Sequence, residues 1–256
     1  MQYISHLGKD KQLKKLIEAY LREQKAGFQL SRRKNLHLYL CASILSQQLS
    51  TKVADTIYAR FLNLFGNKDP LPSDILSTPV ETLRSIGLSN AKASYVHNVS
   101  RFAIEQGMDH EKLSGMNNEE VIEYLTRIKG VGRWTVEMLL MFSLGREDVF
   151  SIDDLGIRNA MIGLYKLDDS DKKALREELL RISGKWSPYR TYACLHLWRW
   201  KDNIPGKEKA SGLSGKRAAA AVKKPSAGKG GKQAAGSTEK KRTATGRKRP
   251  GSPKKA

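Results

Sequence analysis

Cysteine is scarce in this chain: Cys41 and Cys194 are the only two in 256 residues. Two thiols exclude a disulfide framework and a four-cysteine metal or iron–sulfur site. Each lies in an apolar, helix-like stretch, where a buried free thiol is expected. Long apolar runs are missing too. No stretch approaches the roughly 18 apolar residues that a membrane-spanning helix needs. The first residues carry no signal-peptide pattern. Period-two alternation of any length is absent as well, which argues against a sheet. A soluble, intracellular, monomeric protein is expected, in the cytoplasm or nucleoid of a bacterium or the nucleus of a eukaryote.

Acidic residues are the minority. The sequence holds 46 Lys/Arg against 26 Asp/Glu, a formal charge of +20. Residues 206–256 contain 16 Lys/Arg and 2 Glu, whereas residues 1–205 contain 30 and 24. The first part is therefore only mildly basic, and the tail carries most of the excess. Such a tail suits a polyanion. It has no aromatic residue, one Leu and one Val, so it offers little to insert into lipid. Nucleic acid fits better than a membrane surface. The same composition cannot bury enough apolar area to offset its ordering entropy. A disordered basic tail is expected over 206–256, either binding DNA without sequence preference or merely solubilising the chain.

What is abundant is helical periodicity. Leu13, Leu16, Ile17, Tyr20 and Leu21 follow the i, i+3, i+4, i+7 spacing. Val53 through Phe65 repeat it, and Gly66 stops it. Thr78-Pro79-Val80-Glu81 reads as a capping box opening a short helix that Gly87 closes. Ser89 opens the next helix, which ends at Gly107. Asn117 caps a helix that Lys129-Gly130-Val131-Gly132 interrupts. Another apolar helix follows from Arg133 to about Leu144. Asp153 or Asp154 opens one through Leu164, and 171–183 and 188–200 read as helices too. The class is all-α, with roughly nine or ten helices over residues 1–205.

The stretch Lys129-Gly130-Val131-Gly132-Arg133-Trp134 carries the chemistry. It reads as helix, tight Gly-x-Gly turn, helix, the whole hairpin spanning about 117–144. Glycines permit the turn and a close approach that a Cβ would hinder. Val131 can point into the core and pin the turn. The first amides of the second helix then form an anion site suited to a DNA phosphate. Alone, a Gly-x-Gly corner also suits ordinary helix packing. The acidic pair Asp153-Asp154 follows after a helix and a loop, and alone it reads as a helix cap.

Four segments together resemble the helix-hairpin-helix Gly/Pro/Asp superfamily of DNA glycosylases. They are Ser46-Gln47-Gln48-Leu49-Ser50, Lys129 to Trp134, Asp148 to Asp154, and Trp186 to Ala193. The resemblance covers about residues 30–202 and is strongest to the alkylated-base branch, the 3-methyladenine DNA glycosylase II type. It implies two helical subdomains with the active-site cleft between them. It implies double-stranded DNA with damaged bases as partner, and excision of alkylated bases such as 3-methyladenine or 7-methylguanine. Asp154 becomes the catalytic carboxylate, with Asp153 as cap or assisting acid. Trp134, Trp186 and Tyr189 become candidates for the base pocket, since aromatic faces hold a cationic base. Tyr189 suits core packing equally well, and Trp198 and Trp200 read as structural.

Gln48, with Leu49 and Ser50 beside it, would fill the gap left by a flipped base. A polar cap on the helix after Ser50 is the plainer reading of that run. Lys129, Gly130, Val131, Gly132 and Arg133 would meet a phosphate. Bifunctional relatives place a Schiff-base lysine where this chain has Trp134. An indole cannot serve as that nucleophile, so a monofunctional enzyme without β-lyase activity is expected. No metal is required, although the resemblance allows a monovalent cation on hairpin carbonyls. The same fold acting on deaminated or oxidised bases, or a non-catalytic lesion-binding protein, remain the alternatives.

Overall fold

A computed structural model describes residues 1–203, so the basic tail expected over 206–256 lies outside the described residues. Among them there are thirteen helices and no strand. In chain order they are α1 (Gln2–Leu7), α2 (Lys11–Gln24), α3 (Leu36–Ser46), α4 (Thr51–Asn63), α5 (Pro72–Ser77), α6 (Val80–Ser85) and α7 (Asn90–Glu105), then α8 (His110–Ser114), α9 (Asn118–Thr126), α10 (Arg133–Phe142), α11 (Leu155–Tyr165), α12 (Lys172–Gly184) and α13 (Arg190–Asp202). The excess over nine or ten comes from short pieces. α1, α5 and α8 span five or six residues, too few for a hydrophobic period to show.

Two groups of helices pack together. α3, α4, α5, α6 and α7 form one, and α1, α2, α11 and α13 form the other. α10 packs on α3 and α9. Helices α3 and α10 are the most deeply buried. α3 is apolar on nearly every side, and Leu36, Leu40, Cys41, Ile44 and Leu45 are at most 1% exposed. A helix apolar all round must lie inside. In α10 every residue from Thr135 to Phe142 is buried. That run includes a carboxylate, Glu137, which therefore needs partners.

The helix starts are mostly as the sequence dictates. Asn117 and Glu120 form a reciprocal capping box: the Glu120 amide donates to Asn117 Oδ1 (3.0 Å) and the Asn117 amide to Glu120 Oε2 (2.6 Å). Ser89 caps α7 through the Lys92 amide. The capping box expected at Thr78 is absent. Thr78 terminates α5, its hydroxyl donating to the Asp74 carbonyl (2.9 Å), and Pro79 stands at the N-cap of α6. Two short helices in succession leave one residue to close the first, so it cannot open the second.

Candidate active site

The hairpin is built as its glycines require. Gly130 has φ +103°, and a Cβ there would stand 2.3 Å from the Tyr95 ring. Only glycine tolerates both conditions. Val131 is 5% exposed and pins the turn from inside. Gly132 caps α10 without a side chain, and nothing lies within 4 Å of where its Cβ would be. The first amides of α10 have no intrahelical acceptor. The free space around Gly132 lies at this same helix start, the kind of terminus that suits an anion. Lys129 is exposed beside them, and its carbonyl accepts from Asn98 Nδ2 (3.2 Å).

Arg133 departs from expectation. Its guanidinium grips Glu119 with two bonds, Nη1 to Oε1 (2.5 Å) and Nη2 to Oε2 (2.8 Å). Its Nε donates to Glu137 Oε1 (3.0 Å). Glu119 holds the arginine pKa above its ordinary range, and Arg133 holds Glu119 below its own. With two carboxylates around it, this side chain is committed to the protein.

Asp154 lies at the N-cap of α11 and is 4% exposed. Its Oδ1 accepts from the Ile157 amide (2.8 Å) and from Trp198 Nε1 (2.9 Å). Its Oδ2 accepts from Trp134 Nε1 (2.9 Å). A carboxylate has about four acceptor positions, so one on Oδ2 stays open. All three partners are donors, which suits an anionic oxygen pair. The cap reading of Asp154 thus holds, and two indoles clamp the same carboxylate. Asp153 is not the cap. It is exposed and pairs with Arg176 Nη1 (2.8 Å).

Two helices and a loop converge on this carboxylate. α10 brings Trp134, α13 brings Trp198, and the segment 148–154 brings Asp154 itself. Asp148 ties that segment to the start of α13. It accepts from Arg190 Nε (2.6 Å) and Nη2 (2.9 Å) and from Ser187 Oγ (2.8 Å). The Asp148 carboxyl pKa is lowered: burial opposes this, but Arg190 and Ser187 outweigh it. Thr191 adds a bond to the Val149 amide (3.1 Å).

Trp198 was expected to be structural, yet it touches Asp154. Trp186 was expected in the pocket, yet it is 1% exposed and donates to Asp10 Oδ2 (3.2 Å). Phe150 and Tyr165 pack around it. Trp186 is therefore a core pillar, because burial on all sides leaves no face for a ligand. Tyr189 is also not with Asp154. It lines a separate cavity with Tyr3, Phe28, Glu147 and Tyr192, and its hydroxyl donates to Gln2 Oε1 (3.0 Å). Trp198 could not be found from sequence. Every residue from Thr191 to Trp198 is buried, so no period singles one out.

The Gln47–Ser50 loop separates its three candidates. Gln48 is exposed with φ +58°, an uncommon conformation for a residue with a Cβ. Leu49 packs partly against the core. Ser50 caps α4 through the Val53 amide (3.5 Å), as the plainer reading of that position had it. Lys92 Nζ holds the loop from beneath, donating to the carbonyls of Leu45 (3.0 Å) and Gln47 (2.8 Å).

Comparison with known proteins shows the family. Residues 41–185 match the HhH-GPD superfamily of base excision DNA repair proteins. The chain belongs to that superfamily. The Bacillus subtilis protein YfjP is 35% identical over 183 residues, which are 69% of this chain and 63% of that protein. The chain thus spans less than two thirds of that relative's length. The crystal structure of the Bacillus halodurans DNA-3-methyladenine glycosidase is 36% identical with a TM-score of 0.68, over 79% of this chain and 90% of that one. The 3-methyladenine DNA glycosylase of Schizosaccharomyces pombe, solved in complex with abasic DNA, is 32% identical with a TM-score of 0.69. That match covers 82% of this chain and all of that one. The all-α fold of this HhH-GPD protein is therefore the fold expected from its motifs.

Proposed function

We propose that this protein is a monofunctional DNA glycosylase that flips alkylated bases from duplex DNA and hydrolyses their N-glycosidic bonds. The observation that carries the reading is Asp154: a buried carboxylate under two indole N–H groups, with one acceptor position left on Oδ2. The relatives named for 3-methyladenine, and the yeast enzyme with abasic DNA, support the substrate class.

The chemistry follows from the arrangement. As the C1′–N bond breaks, its electron pair leaves with the base and the sugar gains oxocarbenium character. A fixed carboxylate stabilises that charge without reorganising. Its open acceptor position can orient the water that adds to C1′. An alkylated purine is cationic and leaves without a strong acid. The half-exposed Trp134 ring offers such a base an electron-rich face. Gln48, exposed at a positive φ, would fill the vacated stack, a reading its exposure supports. The α10 amides and Lys129 hold a phosphate. A monovalent cation would fit beside it, since the Ile128 and Lys129 carbonyls each accept one protein hydrogen bond and keep a lone pair. Trp134 replaces the lysine that a Schiff-base lyase needs, so the sugar–phosphate backbone stays uncut.

The test is chromatography of free bases released from methylated duplex DNA, with borohydride added in parallel. Free 3-methyladenine and no trapped covalent complex are expected. Lesion binding without any base release would leave a non-catalytic DNA-binding protein. Release confined to deaminated or oxidised bases would keep the enzyme and change the substrate.

A further inference from the structure

Asp154 is one of two buried carboxylates among the described residues. The other is Glu137, 3% exposed in the middle of the most buried helix. Burying a carboxylate costs several kcal/mol unless partners compensate. A methionine or leucine would fill the space at no such cost. The network around Glu137 shows what the charge is for. Oε1 accepts from Arg133 Nε (3.0 Å), and Oε2 accepts from Ser151 Oγ (2.5 Å). Ser151 is completely buried, and its carbonyl accepts from the Asp154 amide (3.2 Å). Arg133 is in turn held by Glu119 on α9.

We infer that Glu137 is a positioning residue: its buried carboxylate, held by Arg133, clamps Ser151 and so fixes the loop that presents Asp154 to the sugar. The chain of bonds runs Glu119, Arg133, Glu137, Ser151, Asp154. It begins beside the hairpin and ends at the carboxylate. Trp134 and Glu137 lie three residues apart on α10, so they share a face of the helix. One helix thereby fixes both the side chain and the backbone of Asp154. Burial pushes the Glu137 pKa up, against the pull of Ser151 and Arg133. Both partners favour the charged form that the clamp uses.

The inference rests on the proposed glycosylase activity, so its test carries a readout that does not. Glu137→Gln keeps the shape but turns an amide N–H toward Arg133 or Ser151. Single-turnover base release at saturating protein is expected to fall about tenfold to a hundredfold, as for a misplaced catalytic group. The dissociation constant for duplex DNA with an abasic-site analogue is expected to change less than about threefold. In the same variant the Nε1–H resonances of Trp134 and Trp198 should shift, because their acceptor has moved. Ser151→Ala leaves the Arg133–Glu137 pair intact and should give the same pattern, which decides the matter if Glu137→Gln does not fold. Unchanged release together with unchanged indole resonances would overturn the inference. Shifted resonances in a protein whose wild type releases no base would uphold the clamp and refute the activity.

Discussion

Trp186 and Trp198 flank the same stretch of chain and are both 1% exposed, yet they do different things. Trp186 gives its indole N–H to Asp10, and Trp198 gives its own to Asp154. Burial does not separate them; the partner carboxylate does. The pair around Trp186 ties α2 to the segment before α13 and holds the core. The pair around Trp198 holds the group that would face the sugar. Two tryptophans of equal exposure thus hold different carboxylates, and the difference lies in contacts 44 and 176 residues apart in sequence.

Apart from changes to Asp154 itself, the largest expected effect sharpens that contrast. Trp198→Phe removes one of three donors to Asp154 and should slow single-turnover release about tenfold to a hundredfold. Trp186→Phe should leave it within about threefold while lowering the melting temperature. Equal slowing by both would break the comparison. A second prediction concerns the hairpin. Gly130→Ala places a Cβ against Tyr95 at a positive φ. Strain and overpacking together should cost about 2–4 kcal/mol of unfolding free energy, measured in urea. Gly132→Ala meets nothing and should leave stability nearly unchanged, but weaken DNA binding by intruding on the open amides.

A third prediction uses His196, buried on α13 two residues before Trp198. Neither ring nitrogen has a hydrogen-bond partner. Tyr3, Tyr20 and Phe28 surround it, and Arg199 adds its charge. Burial, then Arg199, holds its pKa down to about 3 from 6.5. The unfolded chain binds that proton below pH 6.5 and the folded chain does not. Stability should therefore fall as pH drops from about 6.5 toward 3, by up to about 1.4 kcal/mol per pH unit from this group. His196→Leu should flatten that part of the curve in urea titrations across pH 4–7. An unchanged slope would contradict it. The smallest effect belongs to the tail. Deleting 206–256 should weaken DNA binding mainly at low salt and leave single-turnover chemistry intact.

The fold was legible because its cues are local. Amphipathic spacing in α2, α4 and α7, the Asn117 capping box and the Gly-x-Gly turn each act within a few residues. The hairpin was legible for the same reason, since Gly130 is required by its own backbone. The site was half legible. Asp154 and Trp134 follow from motif position, but three features do not. Trp198 lies in a helix buried on every side, so no pattern marks it. Arg133 is a phosphate candidate in sequence until Glu119 and Glu137 are seen around it. Glu137 went unread in sequence, because its partner Ser151 lies fourteen residues away. Each is a tertiary contact between charged or polar groups, and such contacts leave no period in a sequence.

The central claim is that Asp154, and not its neighbour, carries the chemistry. The most direct measurement is single-turnover release of 3-methyladenine by Asp154→Asn and Asp153→Asn side by side. Asparagine keeps the N-cap, so both proteins should fold. At least about a thousandfold loss is expected for Asp154→Asn and a change within about threefold for Asp153→Asn, whose partner is the exposed Arg176. Retained release by Asp154→Asn, or equal loss in both, would contradict it.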